Sequence, residues 1–196
     1  MRAEDRRAQL MDAALEAFSR GGYHGTHISH IIAEAGVARG TFYLYFQGKR
    51  EVFQALIDEM FVSLDSVTEA LNPRAPISPV EQLRRNLERF VGVLQARPQL
   101  TTLLLEQGVP LEPEVRERLR GFYADLTAKV EQGLALGEEL GLFSTVDREV
   151  VARAIVGAVK EVFYGWDHQR EAFDPRRVAD ALIHLTLNGL LVPQEA

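Results

Sequence analysis

Residues 26–49, THISHIIAEAGVARGTFYLYFQGK, restrict the fold more than any other stretch of the chain. Ile28, Ile31, Ile32 and Ala35 recur at helical spacing and give a short helix one apolar stripe. Gly36 follows at once, where a left-handed C-terminal cap costs glycine least. Val37 is apolar in the turn and closes a miniature core. Ala38, Arg39, Gly40 and Thr41 open a second short helix, on which Phe42 and Phe46 stand four apart and face inward. Arg39, Thr41, Tyr43, Leu44 and Tyr45 must then line its other faces. Hydroxyls, aromatic rings and a guanidinium on one exposed surface suit a groove walled by phosphates and base edges. Two short helices around a three-residue turn containing glycine form a helix-turn-helix.

The run GVARGTFYLYFQGK resembles the recognition-helix signature of the tetracycline-repressor (TetR) family of bacterial transcription regulators. That signature runs glycine, valine, small, basic, glycine, threonine, apolar, tyrosine, any residue, aromatic or histidine, phenylalanine, two variable positions, lysine. Two positions depart from the commonest form. Ala38 stands where serine is frequent and has no side-chain oxygen to cap the helix, a loss of about 1 kcal/mol. Tyr45 stands where histidine is common, and its hydroxyl can still donate to a phosphate. The strict match covers roughly the first quarter of the chain; beyond it the agreement is in length and all-helical pattern.

The resemblance implies a transcription regulator whose body senses a small molecule. The expected protein is a dimeric repressor that reads a palindromic double-stranded DNA operator with two heads and is released by an inducer that an apolar cavity with few anchors would make small and largely hydrophobic. It places Thr26, His27 and Ser29 near the DNA backbone. Arg39, Gly40 and Tyr43 would meet base edges or nearby phosphates, with Leu44 on the same exposed face. Thr41, Tyr45 and Lys49 would hold phosphates, beside the anion-friendly start of the helix that Lys49 opens.

A net charge of −6 argues at first against a nucleic-acid partner. The charge is uneven, however. Residues 1–50 carry a balance of +2 and residues 51–196 a balance of −8, so a mildly basic head sits on an acidic body. There is no cysteine, which excludes disulfides and thiolate metal sites and fits a cytoplasmic protein. No apolar run approaches the roughly 18 residues of a membrane span, and MRAEDRRAQL lacks the apolar centre of a signal peptide. His27 and His30 lie one helical turn apart, but no third ligand is placed, so no metal is expected. There is no G-x-S-x-G and no phosphate-binding glycine loop, since Gly48-Lys49 lacks the upstream glycine. Neither an enzyme nor a cofactor is expected.

The rest of the chain predicts an all-α fold of about nine helices. The first runs from Ala3 to about Arg20, stopped by Gly21-Gly22, and Thr26 or His27 caps the next. After the motif, one helix runs unbroken from Lys49 to Leu71. Ser78-Pro79-Val80-Glu81 reads as a capping box with proline at the first helical position. That helix stops at Arg97-Pro98, and a short one follows. A long helix runs from Pro113 to about Leu140. Another, capped by Asp147, extends to about His168, and the last starts at Asp174-Pro175. The division expected is a DNA-binding head over 1–48 and a ligand-binding and dimerisation body over 49–196.

Long apolar helices can enclose a cavity. Phe90, Leu94, Leu103, Leu104, Phe122, Tyr123, Leu126, Phe163 and Trp166 are candidates to line it, with Arg97, Glu106 and Gln107 as conceivable polar anchors. For each singly, plain core packing competes with that role. The last two helices are the expected dimer interface. Ala154, Gly157, Ala158 and Gly165 let backbones approach, and Val178, Leu182 and Leu185 supply apolar area. A competing reading is a helical carrier or enzyme for an apolar small molecule, with the helix-turn-helix merely structural. The polar-aromatic face of the second motif helix would have no purpose there.

Overall fold

A computed structural model describes residues 2–105, 113–142, 144–164 and 174–190. Among them lie nine helices and no strand: α1 (Ala3–Gly25), α2 (Ile28–Ala35), α3 (Arg39–Tyr43), α4 (Lys49–Val67), α5 (Pro79–Ala96), α6 (Pro98–Leu105), α7 (Pro113–Glu139), α8 (Arg148–Phe163) and α9 (Pro175–Leu190). None is long and apolar enough to cross a membrane.

Helix α1 organises the N-terminal end by packing on α2, α4 and α6. Its buried stripe, Leu10, Ala14, Ala17 and Phe18, meets Ile31 of α2, Phe42 and Phe46 around α3, and Phe53 of α4 in one core. Phe18 and Phe53 stand edge to face with ring centres 5.7 Å apart, and Tyr23 packs on both. The same core continues along α4 through Leu56, Ile57, Met60 and Leu64 to α5 and α6, and reaches Phe163 and Val178. α4 therefore belongs to the packing of both ends of the molecule.

Three helix limits differ from the sequence expectation. The first helix leaves helical geometry at Gly22 (φ 68°, ψ 161°), as the glycine pair predicts, but a further turn carries it to Gly25. Only glycine reaches that φ without a Cβ penalty. Helix α4 stops at Val67, with Thr68 turning its hydroxyl back to the Leu64 carbonyl at 2.8 Å. Apolar residues go on to Leu71, but Leu71 is half-buried from a loop past the helix end and Ala70 is exposed. Helix α8 stops at Phe163, short of the expected His168, which lies outside the described residues.

Of the predicted caps, Ser78 Oγ accepts from the Glu81 amide at 3.2 Å and Asp147 Oδ1 from the Val150 amide at 3.2 Å. The capping box at Ser78 does not close. The Glu81 carboxylate instead holds Arg84 and Arg85, and these hydrogen bonds, Arg84 foremost, lower its pKa to about 2. A carboxyl depressed in this way contributes stability at pH values above its ordinary 4.5 and loses it as pH falls toward about 2. Glu81→Gln should therefore leave a thermal-melting profile flatter between pH 4.5 and 2 than that of the native chain. An unchanged acid limb would refute this.

Candidate nucleic-acid interface and effector cavity

The reading head is built from the inside outward. Phe42 and Phe46 are buried and anchor α3. The guanidinium of Arg7, on α1, lies over the Phe46 ring at 5.2 Å, and Gln9 donates to the Ala35 carbonyl at 2.8 Å, closing the end of α2. Gly36 takes the left-handed conformation (φ 62°, ψ 33°) between the two helices. With Phe42 fixed inward, Arg39, Gly40, Tyr43 and Leu44 must face solvent. Tyr43 is 44 % exposed and Leu44 82 %. An apolar side chain bared to that extent on a five-residue helix stabilises nothing within the subunit. The Arg39 guanidinium rests over the Tyr43 ring at 5.7 Å, so the pair forms one cationic-aromatic surface. No Cβ neighbour crowds Gly40, which leaves the backbone open to close approach.

His27 and Ser29 are exposed at the start of α2. His27 is the N-cap residue, and its amide donates to His30 Nδ1 at 3.3 Å. The two imidazoles therefore meet to start a helix, and among the described residues no group of three potential ligands could hold a metal. Thr41 and Tyr45 are half-buried, Tyr45 packing against the core.

Two expected DNA contacts are corrected. Thr26 is 1 % exposed, and its hydroxyl faces the carbonyls of Ala17 (3.0 Å) and Gly22 (2.7 Å). It ties the extra turn of α1 together and does not reach the surface. Lys49 is not aimed at a phosphate either. Its ammonium donates to the carbonyls of Tyr23 (2.8 Å), His24 (3.1 Å) and Thr26 (2.9 Å) and lies 4.7 Å from the centre of the Tyr23 ring. An ammonium has three protons, and all three are engaged. Lys49 caps the end of α1 and fastens it to the start of α4.

The body encloses a cavity of about 450 Å³ between α4, α5, α6, α7, α8 and α9, within the range of roughly 300–1,000 Å³ usual for small-molecule sites. Phe90, Leu94, Leu104, Phe122, Tyr123 and Leu126 line it as the sequence suggests. Leu103 and Phe163 do not; both are buried in the packed core. Trp166, Glu106 and Gln107 lie outside the described residues. Arg97 pairs with Glu59 at 2.7 Å and is no part of the cavity wall.

The wall residues that sequence reasoning missed include Met60, Phe61 and Leu64 of α4, Leu87 of α5, and Ile155 and Val159 of α8. Their helical periodicity was visible, but periodicity marks a buried face without separating core from cavity. Phe61 and Phe122 stack across the chamber, rings 4.2 Å apart and within 3° of parallel. The hydroxyls in the wall are spent locally: Thr68 on Leu64, Thr101 on Leu94 (2.7 Å) and Thr186 on Leu182 (2.8 Å). Burial pushes the Tyr123 hydroxyl pKa up, which keeps it neutral. The chamber therefore offers apolar surface and few free polar groups.

The expected interface residues divide. Ala154 and Gly157 are exposed on α8 and Leu185 is 63 % exposed on α9. Val178 is buried in its own subunit, Leu182 packs on the core, and both Leu182 and Ala158 border the cavity. Val178 is therefore turned inward and unavailable to a partner, whereas Ala158 and Leu182 are half-buried and keep part of their surface exposed. Gly165 lies outside the described residues. Val150, 59 % exposed, shares the face of α8 that carries Ala154 and Gly157, and Tyr164, 55 % exposed, follows just past the helix end; sequence reading did not single them out.

Residues 10–56 match the family model for bacterial regulatory proteins of the tetR family, and residues 76–190 match that of the tetracyclin repressor-like C-terminal domain. The chain is 29 % identical over 195 residues to the HTH-type transcriptional regulator YdgC of Bacillus subtilis, covering 94 % of this chain and 92 % of that one. It is 25 % identical over 187 residues to the fatty acid metabolism regulator protein of the same organism, covering 93 % and 94 %. The solved structure of the transcriptional regulator FadR from Bacillus subtilis in complex with stearoyl-CoA shares the fold, with a TM-score of 0.76, 23 % identity, and 93 % and 98 % of the two chains covered.

Proposed function

Because the chain belongs to the tetR family of bacterial regulatory proteins and is a DNA-binding transcriptional regulator, we propose that it is a dimeric repressor released by an acyl-chain effector. The observation that carries the DNA-reading part is the outward face of α3, where Arg39, Gly40, Tyr43 and Leu44 stand clear of a helix pinned by Phe42 and Phe46. The competing carrier or enzyme reading gives that face no use, and the relatives are regulators. An apolar chamber whose threonine hydroxyls are already satisfied selects a largely apolar ligand, and the acyl class is favoured by the relative named as a fatty acid metabolism regulator and by the neighbour solved with stearoyl-CoA.

Binding to DNA from upstream of the chain's own coding region, followed by fluorescence anisotropy, tests the reading. Arg39→Ala and Tyr43→Ala should each cost about 1–3 kcal/mol on the operator and much less on unrelated DNA. Equal losses on both would remove the assignment of base reading to α3.

Two heads set about 34–36 Å apart read a palindrome, so dimerisation belongs to the function. The exposed apolar line of Val150, Ala154, Gly157 and Leu185 is the face we assign to the partner. Leu185→Glu should give a monomer in sedimentation at micromolar concentration and bind the operator at least about tenfold more weakly. A Leu185→Glu protein that stays dimeric would place the interface elsewhere.

A further inference from the structure

A second groove, of about 530 Å³, adjoins the apolar chamber. Glu69, Ala70 and Asn86 form part of both walls. Its lining is more polar. Arg85 and Arg89, one turn apart on α5, stand in its wall beside Glu69 and Glu88, the latter held by Arg84 at 2.9 Å. Arg89 Nη1 donates to Glu69 Oε1 at 2.8 Å and Nη2 to Asn86 Oδ1 at 2.6 Å, while Asn86 Nδ2 donates to the Glu69 carbonyl at 2.6 Å. Arg85 Nε donates to Glu81 Oε1 at 2.7 Å. Arginine forks match carboxylate and phosphate oxygens in pairs. The carboxylate of Glu69 thus occupies the place that an external anion would take on Arg89. The Glu69–Arg89 pair is solvent-exposed, and such pairs are weak and easily replaced.

Resting on the reading of the chamber as an acyl-chain site, we propose that this groove takes the anionic head of an amphiphilic effector, a carboxylate or a phosphate, which displaces Glu69 from Arg89. The tail fills the chamber and the head emerges where the two spaces share Glu69, Ala70 and Asn86. The exchange also has a mechanical consequence. Glu69 directly follows Thr68, the residue that closes α4, so its grip on α5 fixes the far end of the helix whose near end is fastened by Lys49. An anion on Arg89 releases that end.

Calorimetric titration of the full chain with hexadecanol, palmitate and palmitoyl-CoA tests this. Hexadecanol offers the same tail without a charge. Palmitate and palmitoyl-CoA separate a carboxylate source from a phosphate source. At least one anionic ligand should bind about tenfold more tightly than hexadecanol. Arg85→Gln/Arg89→Gln should erase that difference, and Glu69→Gln, which removes the competitor, should widen it. Glu69→Gln loses only an exposed pair and serves as the test should the double variant fail to fold.

Equal binding of all three ligands by the native chain would overturn the proposal while leaving the acyl-chain chamber standing. A preference that survives the double variant, or one that shrinks in Glu69→Gln, would overturn it likewise. Failure of all three to bind would remove the acyl-chain reading itself, and this proposal with it.

Discussion

Lys49→Ala should lower the stability of the fold by about 2–3 kcal/mol and leave the salt dependence of operator binding unchanged. The ammonium sits where the backbone of α1 ends, and its three protons go to the carbonyls of Tyr23, His24 and Thr26. Cations are favoured at a helix C-terminus, and hydrogen bonds from a charged donor contribute more than neutral ones. The half-buried carbonyls would lose their partner, and α4 would no longer be tied to α1. For a chain of this length each kcal/mol shifts melting by roughly 2–4 °C, so a fall of about 5–10 °C is expected. A lysine on a phosphate behaves differently. Its removal would spare the melting temperature and reduce the slope of log affinity against log salt by about one counterion. Lys49→Met keeps the aliphatic stem and isolates the ammonium. A melting temperature unchanged in both variants, with a reduced salt slope, would return Lys49 to the DNA surface.

The same residue shows what sequence can and cannot disclose. The head was legible because its order is local. Ile31, Ala35, Phe42 and Phe46 lie within one short stretch, and their spacing alone sends them inward. Thr26 and Lys49 were misread because a hydroxyl or an ammonium suits a backbone carbonyl as well as it suits a phosphate or the DNA backbone. Only the fold brings Ala17 and Gly22 to one and Tyr23 to the other. In the body, periodicity identified apolar faces but not what opposes them. Leu103 and Leu104 are neighbours, yet the first fills the core and the second borders a void. On α9, Val178 and Leu182 point into their own subunit while Leu185 points out. The end of α4 was overrun for a related reason: Leu71 faces the chamber from a loop, and burial is not evidence of helix.

Phe122→Ala should leave an acyl ligand able to bind but weaken the coupling of its binding to the operator. Helix α4 is the only described helix that both carries a wall of the chamber and begins at the reading head. Inside the chamber, α7 grips it through the Phe61–Phe122 stack. On the outside, α7 reaches it through the ion pairs Glu114–Arg50, Arg118–Asp58 and Lys129–Asp65, which are exposed and contribute little each. A ligand seated against Phe122 therefore bears on α4 through the two rings, in addition to its direct contact with the α4 wall residues Met60 and Leu64. Truncating Phe122 enlarges the chamber and removes the stack, at a cost of about 2 kcal/mol for a half-buried ring. A tenfold loss of operator affinity on ligand binding requires about 1.4 kcal/mol of coupling, however tightly the ligand itself binds. In Phe122→Ala that factor should fall. The measurement is the ligand affinity with and without operator. Coupling is reciprocal, so the native chain should bind the ligand more weakly when DNA is present, and in the variant that difference should shrink. A Phe122→Ala protein that keeps the full difference would show that the signal travels by another route.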